Sequence, residues 1–123
     1  MSKKIVLIED DDILSGLLQR RLAQQGYEVF LTKDGKAGLS AIRTGRPDLI
    51  LLDIIMPRMG GFEVMEEIQK DPKLKKIPII IVSNSGQPVE LDRAQKLGAR
   101  DWLVKTDFDP QEVIEKVKKQ IGS

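Results

Sequence analysis

Pro47-Asp48-Leu49-Ile50-Leu51-Leu52-Asp53-Ile54-Ile55-Met56-Pro57 is a run of four apolar residues that ends on a carboxylate and passes into a turn closed by proline. Apolar side chains at consecutive positions leave no polar face for water, so Leu49 to Leu52 reads as a strand covered on both sides. Ile5-Val6-Leu7-Ile8, Ile79-Ile80-Ile81-Val82 and Trp102-Leu103-Val104 have the same character, whereas Glu28-Val29-Phe30-Leu31 is weaker and reads as a partly exposed edge strand.

Segments of helical period separate these runs. The first begins after Asp11-Asp12, where a carboxylate can accept from an unpaired backbone amide, carries Leu14, Leu17, Leu18 and Leu22 inward, and ends at Gly26. A second follows Asp34-Gly35 with Ala37, Leu39, Ala41 and Ile42, and stops near Gly45 ahead of Pro47. A third starts around Gly61, is expected to bury Phe62, Met65 and Ile68, and ends before Pro72. The fourth, after Pro88, carries Leu91, Ala94 and Leu97 and closes on Gly98. The last, opened by Asp109-Pro110, is expected to bury Val113, Ile114, Val117 and Ile121, with proline at the first-turn position that tolerates it. Five strand-helix units with short connections predict an α/β fold with a parallel sheet.

The chain has 123 residues, the usual size of one domain, so 1–123 is expected to form a single domain. Its 41% hydrophobic and 32% charged residues match an ordinary soluble protein, and no apolar run approaches the roughly 20 residues of a membrane span. The N-terminal Met1-Ser2-Lys3-Lys4 lacks the length and cleavage site of a signal peptide, which leads us to expect a cytoplasmic address. With neither cysteine nor histidine, the chain is excluded from disulfides, thiolate or imidazole metal sites, and triads built on histidine. A formal net charge of +1 gives no global field for nucleic acid or an anionic membrane. The lysine groups at 73, 75 and 76 and at 116, 118 and 119 read as solvated surface.

In a parallel sheet with right-handed crossovers, ligands bind beyond the carboxyl ends of the strands. Glu9 and Asp10 follow the first predicted strand, Asp53 the third, Ser83 the fourth and Lys105 the fifth. If the order is the flavodoxin-like 2-1-3-4-5, the three acids converge where the winding reverses. Carboxylates that close repel one another unless protons or a cation compensate them, and Mg²⁺ suits an all-oxygen site shared with a phosphate. Lys105 and a serine hydroxyl would then receive phosphoryl oxygens. Taken singly, an acid at a strand end caps the next helix, as Asp11 or Asp12 is expected to do, and Lys105 reads as a surface lysine. The joint placement on four strand ends is what points to a site.

At this level the sequence resembles the response-regulator receiver domains of two-component signalling, including the stand-alone regulators of chemotaxis. The residues that carry the resemblance are IVLIEDD from Ile5 to Asp11, PDLILLDIIMP from Pro47 to Pro57, Gly61-Phe62, Leu97-Gly98-Ala99, and Trp102-Leu103-Val104-Lys105. The resemblance implies that Asp53 accepts a phosphoryl group from the phosphohistidine of a sensor histidine kinase or phosphotransfer protein. It further implies that Asp10, Asp53 and the backbone carbonyl of Ile55 ligate Mg²⁺, with Glu9 acting mainly through a metal-bound water. Lys105 would contact the phosphoryl oxygens, and Ser83 and Trp102 would be the switch pair. Their movement would repack the face of the fourth helix, fifth strand and fifth helix, where a downstream protein partner docks and where the family also forms homodimers. No direct contact with nucleic acid or membrane is expected.

Some positions depart from the family pattern. Thr106 stands where proline is usual, often after a cis bond; Gly60 stands where an acid is common, which is expected to loosen the loop after Asp53; Asn84 stands where a small residue is usual and is expected to narrow access. Ile55 and Ser85 occupy positions that tune dephosphorylation in the family, and an apolar Ile55 implies a slowly hydrolysing phosphate. The rival readings are a phosphorylation-independent binding module of the same fold, a flavodoxin-like FMN protein and a small Mg²⁺ phosphatase. The first usually lacks some of Asp10, Asp53 and Lys105, the second needs a phosphate cradle where Glu9 to Asp12 stand, and the third commonly has a second aspartate where Ile55 stands. The chain closes on its fifth predicted helix, leaving open whether it stands alone or belongs to a larger protein.

Overall fold

The computed structural model describes residues 2–84, 86–106 and 109–122. In chain order the elements are β1 (Lys4–Ile8), α1 (Asp12–Gln24), β2 (Glu28–Thr32), α2 (Gly35–Gly45), β3 (Leu49–Leu52), α3 (Gly61–Gln69), β4 (Ile79–Ser83), α4 (Pro88–Lys96), β5 (Ala99–Val104) and α5 (Pro110–Ile121). The strands form one parallel sheet in the order β2-β1-β3-β4-β5. This is the flavodoxin-like doubly wound α/β fold expected from the alternation of strands and helices.

Side-chain alternation along the three central strands divides the core. Val6, Ile8, Ile50, Leu52, Ile79 and Ile81 point to one face, where Leu39 and Ile42 of α2, Val64, Met65 and Ile68 of α3, and Ala94 of α4 cover them. Ile5, Leu7, Leu49, Leu51, Ile80 and Val82 point to the other, beneath Leu18 and Leu22 of α1 and Val113, Ile114 and Val117 of α5. Because α1 and α2 lie on opposite faces, the chain leaves β1 toward β2, crosses back, and enters β3 on the far side of β1. The carboxyl ends of β1 and β3 are therefore neighbours, with Ile8 beside Leu52.

Asp11 caps α1, accepting from the backbone amides of Ile13 and Leu14, and Asp34 and Asp109 do the same for α2 and α5. The β5 strand differs from its prediction: it starts at Ala99, and only Leu103 on it is buried. Its position at the sheet edge explains both points, since Arg100 and Asp101 face solvent on one side and read as loop in sequence. A half-buried pair of Lys116 with Asp101 at 3.0 Å joins this edge to α5. In α3, Val64 occupies the core position expected of Phe62, which is instead half-buried with the Arg93 guanidinium 4.2 Å above its ring. Ile121, Leu14 and Leu17 are likewise only partly covered. Among the described residues no helix is long and apolar enough to cross a membrane.

Candidate functional site

Every strand that ends in the central part of the sheet delivers one polar group to the same edge. Glu9 and Asp53, the first residues past β1 and β3, are 1% and 4% exposed, and Ser83 closes β4 at 1%. Asp10 is exposed. Carboxylate oxygens of Glu9, Asp10 and Asp53 lie within 4.8 Å of one another. Lys105, one residue past β5, reaches across with its Nζ 2.6 Å from Glu9 Oε1 and 3.0 Å from Asp53 Oδ2. Its backbone amide donates to the Ser83 carbonyl at 2.7 Å, which fixes the end of β5 to the end of β4.

These contacts set the electrostatics. Burial pushes the Glu9 carboxyl up from its ordinary 4.5 to about 7; Lys105 opposes the rise and the charge of Asp53 adds to it. The folded protein without a cation thus holds a proton at Glu9 more tightly than the unfolded chain does, and this group's contribution to stability declines as pH rises from about 4.5 to about 7. Burial works against the charge on Lys105, but its contacts with Glu9 and Asp53 outweigh burial and hold its value above the ordinary 10.5. One ammonium thus pairs with two of the three acids in the cluster. The donors are all carboxylate oxygens and they retain an excess of negative charge, so the set fits a hard divalent cation such as Mg²⁺.

The remaining predicted positions fall around this group. Ile55 lies in the turn after β3, two residues past Asp53, with its side chain 70% exposed. Trp102 is half-buried on β5, packs against the cluster that contains Ala94, and lines a cleft of about 160 Å³ together with Leu91 and Arg100. Asn84 is exposed, and the Lys105–Thr106 peptide is trans, as are all those described. Ser85 lies outside the described residues.

Two features were not legible beforehand. Lys105 is engaged with both Glu9 and Asp53 in the resting protein, where the residues alone implied only that it would face a phosphoryl group. Gly61 is pressed against the backbone that follows β3: a Cβ there would stand 2.4 Å from the Asp53 carbonyl oxygen and 2.8 Å from Ile54 Cα. Gly60, at the cap of α3, has an ordinary extended conformation, and the Gly61 amide donates to the Ile54 carbonyl at 2.7 Å, which closes the base of the loop after Asp53. Gly61→Ala is expected to destabilise the protein by about 1–3 kcal/mol, because backbone on both sides must move to admit one methyl group. Urea unfolding of parent and variant checks this, and an unchanged midpoint would contradict the close approach.

Similarity to known proteins agrees with this arrangement. Residues 5–118 match the family model described as the response regulator receiver domain. The alkaline phosphatase synthesis transcriptional regulatory protein PhoP of Bacillus subtilis is 33% identical over 118 residues, 96% of this chain and 48% of that protein. The chain thus spans about half the length of such relatives. The solved structure of chemotaxis protein CheY4 from Vibrio cholerae superposes with a TM-score of 0.91 at 26% identity, over 98% of this chain and all of that one. The phosphorylated cyanobacterial phytochrome response regulator RcpA superposes with a TM-score of 0.83 at 32% identity, over 97% of this chain and 91% of that one. With its five parallel strands in this order and a family match across nearly its whole length, the chain belongs to the response regulator receiver domains of two-component systems.

Proposed function

We propose that Asp53 accepts a phosphoryl group from a phosphohistidine on a sensor histidine kinase or phosphotransfer protein, and that 1–123 works as a single receiver domain in the cytoplasm. Receiver domains in general accept phosphoryl groups, bind Mg²⁺ at an acidic pocket, and work with such kinases and with downstream effectors. The observation that carries the reading for this chain is the convergence of Glu9, Asp10 and Asp53 at the winding reversal, with Lys105 held between two of them.

An Asp53 carboxylate oxygen attacks phosphorus; the new O–P bond forms as the P–N bond to the donor imidazole breaks, and the imidazole leaves to take up a proton. Asp10, Asp53 and the Ile55 carbonyl would hold Mg²⁺, with Glu9 one water further out. When bound, the ion supplies the positive charge that lets an anionic phosphoryl group enter an acidic pocket. Lys105 shifts its ion pair from the carboxylate to a phosphoryl oxygen, and the buried Ser83 hydroxyl donates to another. Ser83 drawn inward opens space toward Trp102, whose movement changes the face of α4, β5 and α5. That face is where the reading places the downstream partner and a homodimer.

Incubation with Mg²⁺ and acetyl phosphate tests this directly. Intact mass should show one added phosphoryl group that chelation of Mg²⁺ prevents, while Trp102, the only tryptophan in the chain, should shift its emission as its surroundings repack. A folded protein that gains nothing from acetyl phosphate or from a kinase donor would overturn the reading.

An apolar Ile55 side chain, exposed beside the acceptor, cannot orient a water for attack on the aspartyl phosphate. Ile55→Asn supplies an amide that can, and decay after removal of the donor should quicken about tenfold, equivalent to about 1.4 kcal/mol of barrier. Unchanged decay would remove Ile55 from the control of phosphate lifetime.

A further inference from the structure

The loop from Ile54 to Gly60 carries the Ile55 carbonyl, and its backbone bonds among the described residues are Gly61 N to the Ile54 carbonyl and Val64 N to the Gly60 carbonyl at its base, and Met59 N to the Pro57 carbonyl within it. None of these bonds fixes the middle of the loop against the rest of the fold. Met56 and Met59 give it partial apolar anchorage on the core. A more restrictive contact comes from the start of α2. The Met59 carbonyl lies so close to Gly35 that a Cβ at that position would stand 2.0 Å from its oxygen and 2.7 Å from its carbon. Next to it, Arg58 adopts φ 65, a conformation unfavourable for a residue with a side chain, and its Nε lies 3.6 Å from Asp34 Oδ2. Asp34 uses its other oxygen to cap α2, accepting from the Ala37 amide at 2.8 Å, so its carboxylate is held by the helix it starts. Two consecutive residues of one loop thus meet two consecutive residues of another.

We infer that Asp34 and Gly35 are positioning residues that clamp Arg58 and Met59, and that this clamp sets the backbone between Asp53 and α3 in the register needed for the Ile55 carbonyl to serve the cation site. The inference rests on the proposed assignment of that carbonyl. Groups that hold a ligand in place commonly matter to metal affinity nearly as much as the ligand, at about 10–100-fold when lost.

Mg²⁺ titration by calorimetry tests the clamp without reference to phosphoryl transfer. Gly35→Ala changes no charge and should raise the dissociation constant about tenfold, while Gly45→Ala, at the other end of the same helix with open space around it, should leave it unchanged. Arg58→Gly removes the ion pair and keeps the backbone conformation accessible. If only charge mattered, losing a cation near the site would tighten Mg²⁺ binding; the clamp requires that binding weaken. In phosphorylation assays both variants should need more Mg²⁺ for half-maximal rate while approaching the parent rate at saturation.

Parent-like Mg²⁺ affinity in folded Gly35→Ala, or tighter binding in Arg58→Gly, would overturn the clamp alone. Should Gly35→Ala fail to fold, the direction of the Arg58→Gly change decides. A parent that binds no Mg²⁺ would overturn the reading of the acid cluster, and the clamp with it.

Discussion

Asp53→Asn protein, incubated with Mg²⁺ and acetyl phosphate, is expected to keep its unmodified mass under conditions in which the parent gains one phosphoryl group. The change is nearly isosteric, and the oxygen that accepts from the Ile54 amide at 2.7 Å can be retained. What is lost is the second carboxylate oxygen, the one facing Lys105 Nζ at 3.0 Å, and with it the negative charge that makes the group a nucleophile. An amide nitrogen, its lone pair delocalised, neither attacks phosphorus nor accepts from the lysine. Two accompanying changes separate a lost acceptor from a collapsed site. Mg²⁺ should bind more weakly, because one of three converging acids has become neutral. The Glu9 carboxyl should also titrate lower, because one of the causes that raise it is the Asp53 charge. A variant that gains a phosphoryl group to the parent's extent would move the acceptor elsewhere in the chain.

Lys105→Met should slow phosphorylation by about 10²–10³-fold, the usual consequence of removing one preorganised donor from a developing anion. It should also destabilise the cation-free protein by as much as about 3–5 kcal/mol at pH 8, since it leaves Glu9 and Asp53 buried without their shared counter-charge. The penalty should shrink at pH 6. Protonation of Glu9, already favoured up to about 7, removes one of the two uncompensated charges there. Saturating Mg²⁺ should restore part of the stability at either pH by occupying the acids in place of the ammonium. Unfolding at both pH values, with and without Mg²⁺, distinguishes these contributions. A loss of stability independent of both pH and Mg²⁺ would mean that Lys105 acts through packing of its stem.

Arg93 shows why the buried face of a helix depends on its neighbours more than that of a strand does. The spacing of Phe62, Met65 and Ile68 reads as an inward stripe, but the covered face of α3 runs through Gly61, Val64, Met65 and Ile68 and leaves Phe62 half-buried at its flank, toward the neighbouring helix. There α4 offers a guanidinium, which favours an aromatic face at the surface. Similarly, Ala99 to Asp101 carries no continuous apolar signal because β5 has a neighbour on one side only.

By itself the sequence determined the number and order of the elements, the strands buried on both faces, and the strand ends that bear Glu9, Asp10, Asp53, Ser83 and Lys105. These are local properties: apolar periodicity, capping carboxylates and breaks at glycine and proline act within a few residues. The tertiary structure alone decided how close these groups stand and how they are paired. It placed Lys105 between Glu9 and Asp53, raised the Glu9 carboxyl through burial, and set Gly61 against Asp53 and Gly35 against Met59. Each of those contacts joins segments far apart in the chain, and its distance follows from sheet register and helix packing, which no single stretch of residues contains.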